Sequence, residues 1–281
     1  MSPDPGTPQH RTTEQLRHHY EVERELADRL RKASGEERLS LYSSVYNELF
    51  RRVPDHPQLS RKASALEIHG RVSRQMMLLR DFLHRESTYL EIGPGDCTLA
   101  FEVARSVKKV FAVDVSGEIT SGMTPPPNFQ LILSDGRNIP LPRESVDVAY
   151  SNQLMEHLHP DDALEQLRNV YDTLKPGGAY ICVTPSRLTG PHDISRYFDA
   201  VATGFHLREY TVGELRDLFL AVGFSKVRSL SRIGPRYLGL PVLPIAGCER
   251  LLDSLPARWR RAVADRPPLR PLLGVRLIGV K

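Results

Sequence analysis

The chain has 281 residues, with 38 Lys/Arg against 34 Asp/Glu and a formal net charge of +4. Its 40% hydrophobic and 26% charged fractions exclude wholesale disorder, and no run approaches 18 uninterrupted apolar residues, which excludes a spanning helix. Three scattered cysteines, Cys97, Cys182 and Cys248, exclude a disulfide framework and a Cys-x-x-Cys metal knuckle.

In chain order, residues 1–12 are polar and rich in Pro, Gly and Thr, and read as a disordered lead-in. They carry no basic-then-apolar signal, so a cytoplasmic product is expected. Residues 13–84 read as an N-terminal helical cap. Leu16, Tyr20, Leu26 and Leu30 recur near a 3.6-residue period. Ser34-Gly35 breaks the pattern, and a second helix resumes through Leu39, Tyr42, Val45, Tyr46, Leu49 and Phe50 until Pro54 and Pro57 end it. A third helix is expected from about Lys62 to His84.

From residue 85 to the end the texture is that of one α/β domain. Short β-rich runs at Thr88–Ile92, Lys109–Val113, Phe129–Leu133, Val146–Ser151 and Tyr180–Thr184 alternate with helical stretches, the pattern of βαβ units and a parallel sheet. Thr211 and Glu214 form a capping box for a helix running to Val222, with Gly223 as its C-cap. Strands at Lys226–Arg232 and Leu273–Val280 are expected to finish the sheet around a helical insertion, about 235–271. Residues 225–281 hold 12 Lys/Arg against three Asp/Glu, a local +9, so the first 224 residues sum to −5. Such a tail suits an anionic substrate, nucleic acid or a headgroup surface, or is a solvated face. Trp259 among Arg258, Arg260 and Arg261 marks either an interfacial helix, hence peripheral membrane contact, or a buried Trp flanked by solvated arginines.

The most informative stretch is Tyr89-Leu90-Glu91-Ile92-Gly93-Pro94-Gly95-Asp96-Cys97-Thr98. A strand ends in an acid, a glycine turn follows, and a helix begins. Glycines there let the backbone pass close beneath a ligand. Asp114, at the end of the next strand, is placed to accept hydrogen bonds from ribose hydroxyls. Two details argue against a dinucleotide: Thr98 replaces the third glycine of Gly-x-Gly-x-x-Gly, and Glu91 would repel a pyrophosphate. An acid there suits an ammonium group, which points to S-adenosylmethionine.

The stretch from about Ser87 to Phe224 resembles the class I S-adenosylmethionine-dependent methyltransferases, of the methyltransferase type 11/12 kind that act on small molecules. The resemblance rests on Leu90-Glu91-Ile92-Gly93-Pro94-Gly95, Val113-Asp114-Val115-Ser116, Ser134-Asp135-Gly136 with Ile139-Pro140, and Asp147 leading into Tyr150-Ser151-Asn152, followed by Leu174-Lys175-Pro176-Gly177-Gly178 as a turn marker. It implies a Rossmann-like, doubly wound, seven-stranded sheet with an antiparallel last strand, an N-terminal helical lid and a helical insertion before that strand. It further implies that Glu91 holds the methionine ammonium, that Gly93, Pro94 and Gly95 pass under the ligand, and that Asp114 binds the ribose. Val115 is expected on the adenine, Asp135 and Gly136 at its amino group, and Asn152 and Gln153 along the methionine side.

Methyl transfer is an in-line displacement, so positioning supplies much of the rate and a base is needed only where the acceptor loses a proton. If a helix starts directly after the fourth strand, Gln153, Glu156 and His157 share one face. The pattern resembles the Glu-x-x-Glu-His of ubiquinone-pathway O-methyltransferases and of small-RNA 3′-end 2′-O-methyltransferases, which implies a divalent cation such as Mg²⁺ on Glu156, His157 and His206. Gln153 stands where the first Glu of that pattern would be and removes a charge from a hard-cation site. Without metal, His157 or His192 is the candidate general base. His159-Pro160-Asp161-Asp162 reads as a helix N-cap. Tyr42 and Tyr46, one turn apart, either pack on the sheet or close a lid over the cleft. The leading expectation is O-methylation of a small-molecule acceptor in a biosynthetic pathway. Alternatives are RNA 2′-O-methylation or another anionic or lipid-linked acceptor, and a non-catalytic cofactor-binding scaffold. No RNA-binding module is recognisable, and aromatic residues are not interleaved with the basic ones.

Overall fold

The computed structural model describes residues 11–60, 64–117 and 123–281. Most of the expected lead-in, residues 1–10, and the expected helix start at Lys62 lie outside the described residues. Among the described residues four helices precede the first strand: α1 (Thr13–Lys32), α2 (Gly35–Arg52), the short α3 (Pro57–Ser60) and α4 (Ala65–Leu79). Thr12, Ser34 and Ser64 each cap α1, α2 and α4 with a capping box closed by Gln15, Glu37 and Glu67, so their first-turn amides are satisfied locally.

Eight strands form one sheet: β1 (Thr88–Ile92), β2 (Lys109–Asp114), β3 (Phe129–Leu133), β4 (Val146–Asn152), β5 (Leu174–Thr184), β6 (Ser225–Ile233), β7 (Arg236–Pro241) and β8 (Val275–Val280). Their order is β3-β2-β1-β4-β5-β8-β6-β7. Strands β1 to β5 are parallel, and β8 runs antiparallel between β5 and β6. The expected fold class holds, with a difference in strand number. The first residues of the expected insertion form β7, hairpinned onto β6 from Ile233↔Arg236 to Arg228↔Pro241. Gly234, at φ +60°, makes the tight turn, and the Pro and Gly content of β7 suits an edge strand. The rest of the insertion is helical: α8 (Val242–Asp253), α9 (Ala257–Ala264) and α10 (Leu269–Leu273). Trp259 is exposed on α9, so its buried alternative is set aside.

Side chains alternate across β1. Leu90 and Ile92 enter one core with α1, α2, α6 (Pro160–Thr173) and α7 (Val212–Val222), while Tyr89 enters the other with α4 and α5 (Thr98–Ala104). Thr211 and Glu214 close the expected capping box on α7, and Gly223 ends it in the left-handed region. The Lys175–Gly178 turn lies inside β5, where the register with β4 jumps from Val146↔Leu174 to Val148↔Ala179. The topological switch falls at β1, which has β2 on one side and β4 on the other. Open α/β sheets bind ligands outside the carboxyl ends of such strands.

Candidate active site

Below the carboxyl ends of β1, β2 and β4 opens a cleft of about 600 Å³, part of it open to solvent. Ile92 and Gly93 come from the β1 turn, Val113, Asp114 and Val115 from β2, and Ser134, Gly136 and Asn138 from the loop after β3. Leu154, His157 and Leu158 close it from beyond β4, and Tyr42 and Tyr46 of α2 cover it. Both tyrosines thus pack on the core and wall the cleft. Of the residues expected at a cofactor, Gly93, Asp114, Val115 and Gly136 line it. Glu91, Pro94, Gly95, Asp135, Asn152 and Gln153 stand behind or beside that lining.

The β1 turn has the conformation its glycines permit. Gly93 and Gly95 hold φ of +65° and +58°, a region where a side chain is strained. A Cβ on Gly93 would meet Leu154 at 3.2 Å, while one on Gly95 would face open space. Glu91, 4% exposed at the end of β1, leaves Oε2 without a partner among the described residues. Burial, with a smaller push from Asp96, raises its carboxyl to about 8. Asp114 accepts from the Ser116 amide at 3.0 Å and is raised by burial. Asp135 is occupied by its own turn, accepting from the Arg137 and Asn138 amides at 2.9 and 2.8 Å and from the Asn138 side chain.

Beyond β4 the chain departs from the expected helix. Asn152 ends the strand, the Gln153 amide still donates to Val183 O at 2.8 Å, and Gln153 holds φ +56°. Pairing with β5 therefore continues one residue past the strand end. Only one 3-10 turn follows, Met155–His157, before His159 caps α6 by accepting from the Asp161 amide. Gln153 does not share a helical face with Glu156 and His157; this corrects the expected i, i+3, i+4 arrangement.

Glu156, His157 and His206 nevertheless meet in space, each offering one ligand-capable atom within 4.8 Å of the others. His157 Nδ1 lies 3.1 Å from Phe205 O and 3.2 Å from Tyr46 Oη. A carbonyl only accepts, so Nδ1 carries the proton and Nε2 keeps its lone pair. Burial lowers His157 to about 4, so the ring is neutral near pH 7. Glu156 is fully buried; its Oε2 accepts from Thr184 Oγ1 at 2.8 Å, and its Oε1 has no partner among the described residues. Its carboxyl is pushed up to about 6 by burial. His206 Nδ1 lies 2.7 Å from Glu209 Oε1. His192 is not brought to this cluster: its ring stays at the loop surface, 3.0 Å from Thr189 Oγ1 and 3.2 Å from Ser186 O.

The N-terminal helices hold this arrangement. Arg38 of α2 forms a bidentate pair with Asp162 of α6 at 2.6 and 2.8 Å, and Tyr42 Oη donates to the same carboxylate at 2.6 Å. Glu23 of α1 accepts from the Phe205 amide at 2.9 Å, so the residue whose carbonyl fixes the His157 tautomer is itself held by α1. Sequence reasoning missed Glu23 and Arg38; the only visible signal in this group was the one-turn spacing of Tyr42 and Tyr46.

Residues 90–182 match the methyltransferase domain family. That span contains the β1 glycine turn and every strand edge of the cleft. Over this span the chain is similar to S-adenosylmethionine-dependent methyltransferases. A relative in Mycolicibacterium smegmatis named "Probable S-adenosylmethionine-dependent methyltransferase" is 28% identical over 179 residues, 63% of this chain and 65% of its own length. One of the same name in Mycobacterium tuberculosis is 30% identical over 52% of each chain. The chain thus spans about two thirds and about half of these curated relatives. The fold of this methyltransferase domain is also that of an S-adenosylmethionine-dependent methyltransferase from Mesorhizobium loti, at TM-score 0.51 and 16% identity over 76% of this chain and 100% of that one. An Archaeoglobus fulgidus enzyme of the same description gives 0.50 and 16% over 85% and 100%.

Proposed function

We propose that this protein transfers a methyl group from S-adenosylmethionine to a small-molecule acceptor, at an oxygen that loses a proton. The observation that carries the reading is one cleft lined by the left-handed Gly93, a half-buried Asp114 and a neutral imidazole, His157, with the buried Glu91, its Oε2 without a partner among the described residues, on the strand that leads into that glycine turn. When bound, S-adenosylmethionine supplies a methyl group on a sulfonium, a good leaving group as the neutral thioether. Glu91 receives the ammonium, with Pro94 in the turn that Gly93 and Gly95 shape. Asp114 binds the ribose hydroxyls. Val115, Ile139 and Leu158 give apolar walls for the adenine, with Gly136 and Asp135 at its edge and Asn152 and Gln153 toward the methionine. Tyr42 and Tyr46 exclude water from above. His157 Nε2 takes the acceptor hydroxyl proton as the oxygen captures the methyl. The direct test is calorimetry with S-adenosylmethionine. Asp114→Ala is expected to bind about tenfold or more weakly, the loss of one charge-assisted bond pair; equal affinity would remove the ribose assignment.

A second reading is metal assistance, favoured by the partnerless Glu156 Oε1 facing two imidazoles. A carboxylate, the neutral His157 and a His206 that gives up the proton its acidic neighbours favour fit a divalent cation such as Mg²⁺, though nitrogen donors suit softer ions better. Glu156, His157 and His206 would hold it, and it would lower the pKa of an acceptor hydroxyl. In that case EDTA abolishes turnover and added metal restores it; full turnover in chelator leaves His157 as the base.

A further inference from the structure

A second cavity, of about 720 Å³ and partly open, is lined by His206, Arg187, Arg208 and Arg260. His157 lines the first space and His206 the second, with ring centroids 4.9 Å apart. Resting on the methyltransferase reading, we infer that this second cavity is the acceptor subsite and that it takes an acceptor bearing an oxyanion, a phosphate or carboxylate, bound by Arg208 with Arg187.

The charges around the cavity single out Arg208. Arg187 pairs with Asp253 at 2.9 Å and Glu214 at 3.3 Å, and Arg260 pairs with Asp253 at 3.0 Å. Glu209 is answered by His206. The Arg208 guanidinium makes no hydrogen bond or ion pair among the described residues; it lies over the Tyr210 ring at 5.2 Å. It is a cation held ready by stacking, with no counter-charge of its own.

Unmet hydrogen-bonding capacity is concentrated in the same place. Glu156 Oε1, Ser186 Oγ, Arg187 Nε and Tyr210 Oη are all buried without partners among the described residues. They belong to one neighbourhood: the Arg208 amide donates to Glu156 O at 3.2 Å, the Arg187 amide to Tyr210 O at 2.9 Å, and Ser186 bridges Tyr210. Buried polar atoms are rarely left alone, so a cluster of them beside a cavity marks where a polar ligand belongs. Arg187 Nε and the Arg208 guanidinium are donors only, which selects an acceptor of hydrogen bonds carrying negative charge. The insertion completes this wall through Arg260 of α9, while Arg261 ties α9 to Gly190 O at 2.6 Å.

The test uses the full chain saturated with S-adenosylhomocysteine, titrated with inorganic phosphate and with acetate against chloride at constant ionic strength, and followed by amide NMR. Saturable shifts are expected around Arg187, His206 and Arg208 with one or both probes, phosphate or acetate dominance naming the acceptor's group. Arg208→Ala should weaken that binding by about tenfold or more, and Arg208→Lys by less. Arg270→Ala, at an exposed site on α10, should leave it unchanged. Equal affinity in Arg208→Ala, shifts spread along the basic tail with Arg270→Ala equally damaging, or no saturable shift would each overturn the inference. Binding of S-adenosylhomocysteine in the same samples reports on the methyltransferase reading separately.

Discussion

Glu91 is a buried acid whose Oε2 has no partner among the described residues. With its carboxyl raised to about 8 by burial, the ligand-free protein carries the proton at pH 7. A cation closing against Glu91 favours the carboxylate, so cofactor binding at pH 7 should release up to about one proton. Calorimetry in buffers of different ionisation enthalpy reads this directly. Affinity should fall as pH drops below about 8, and Glu91→Gln should show neither the release nor the slope; a pH-independent wild type would remove the ammonium role. The stability sign is the reverse of that of a salt-bridged acid. The unfolded chain ionises near 4.5 and the folded one near 8, so between these values the unfolded state binds fewer protons and stability declines as pH rises. Glu91→Gln should gain on the wild type across that window, by on the order of a few kcal/mol at its upper end.

The element that most depends on one pair is α2. Arg38 and Asp162 are 4% and 1% exposed, and Tyr42 and the α6 start hang on the same carboxylate. Arg38→Ala leaves the buried Asp162 with only Arg137 Nη1, at 3.6 Å, to answer its charge, so the loss should approach the about 3–5 kcal/mol of an ion pair broken from one side. The thermal midpoint should drop accordingly, and cofactor affinity should fall with it because Tyr42 and Tyr46 line the cleft. An unchanged midpoint would mean that α2 is held by its apolar face alone. The strands and caps were legible in the sequence because their signals are local: β1 to β5, the Thr211 box and Gly223 each carry their pattern within a few residues. The β7 edge was not, since Arg236-Tyr-Leu-Gly-Leu-Pro has the residues of a loop and becomes a strand only by hairpinning on β6. Nor was the left-handed Gln153, whose conformation is set by Val183 on a neighbouring strand. Glu23, Arg38 and Arg208 reach the site through contacts more than 50 residues apart in sequence, and no periodicity records such a partner.

At the scale of the molecule, one core crosses the sequence boundary between the N-terminal helices and the sheet. Val22, Leu26 and Leu30 of α1 and Val45 and Leu49 of α2 join Leu90 and Ile92 of β1 and Leu277 of β8 in a single cluster. The polar ties run the same way: Arg31 donates to Thr203 O and Gly204 O at 2.8 and 2.9 Å, and Tyr20 to Asp199 at 2.8 Å. A cap that melted alone would expose that apolar face and strand Asp162 at once, so the helices and the sheet should unfold together. The expected outcome is one calorimetric transition, with near-ultraviolet dichroism and the fluorescence of Trp259 on α9 changing at the same temperature as backbone dichroism. S-adenosylhomocysteine, binding only the folded chain, should move that whole transition upward rather than split it. A separate low-temperature step that is insensitive to S-adenosylhomocysteine would show that α1 and α2 are a detachable cover; a shared step makes them part of the wall that the cofactor cleft requires.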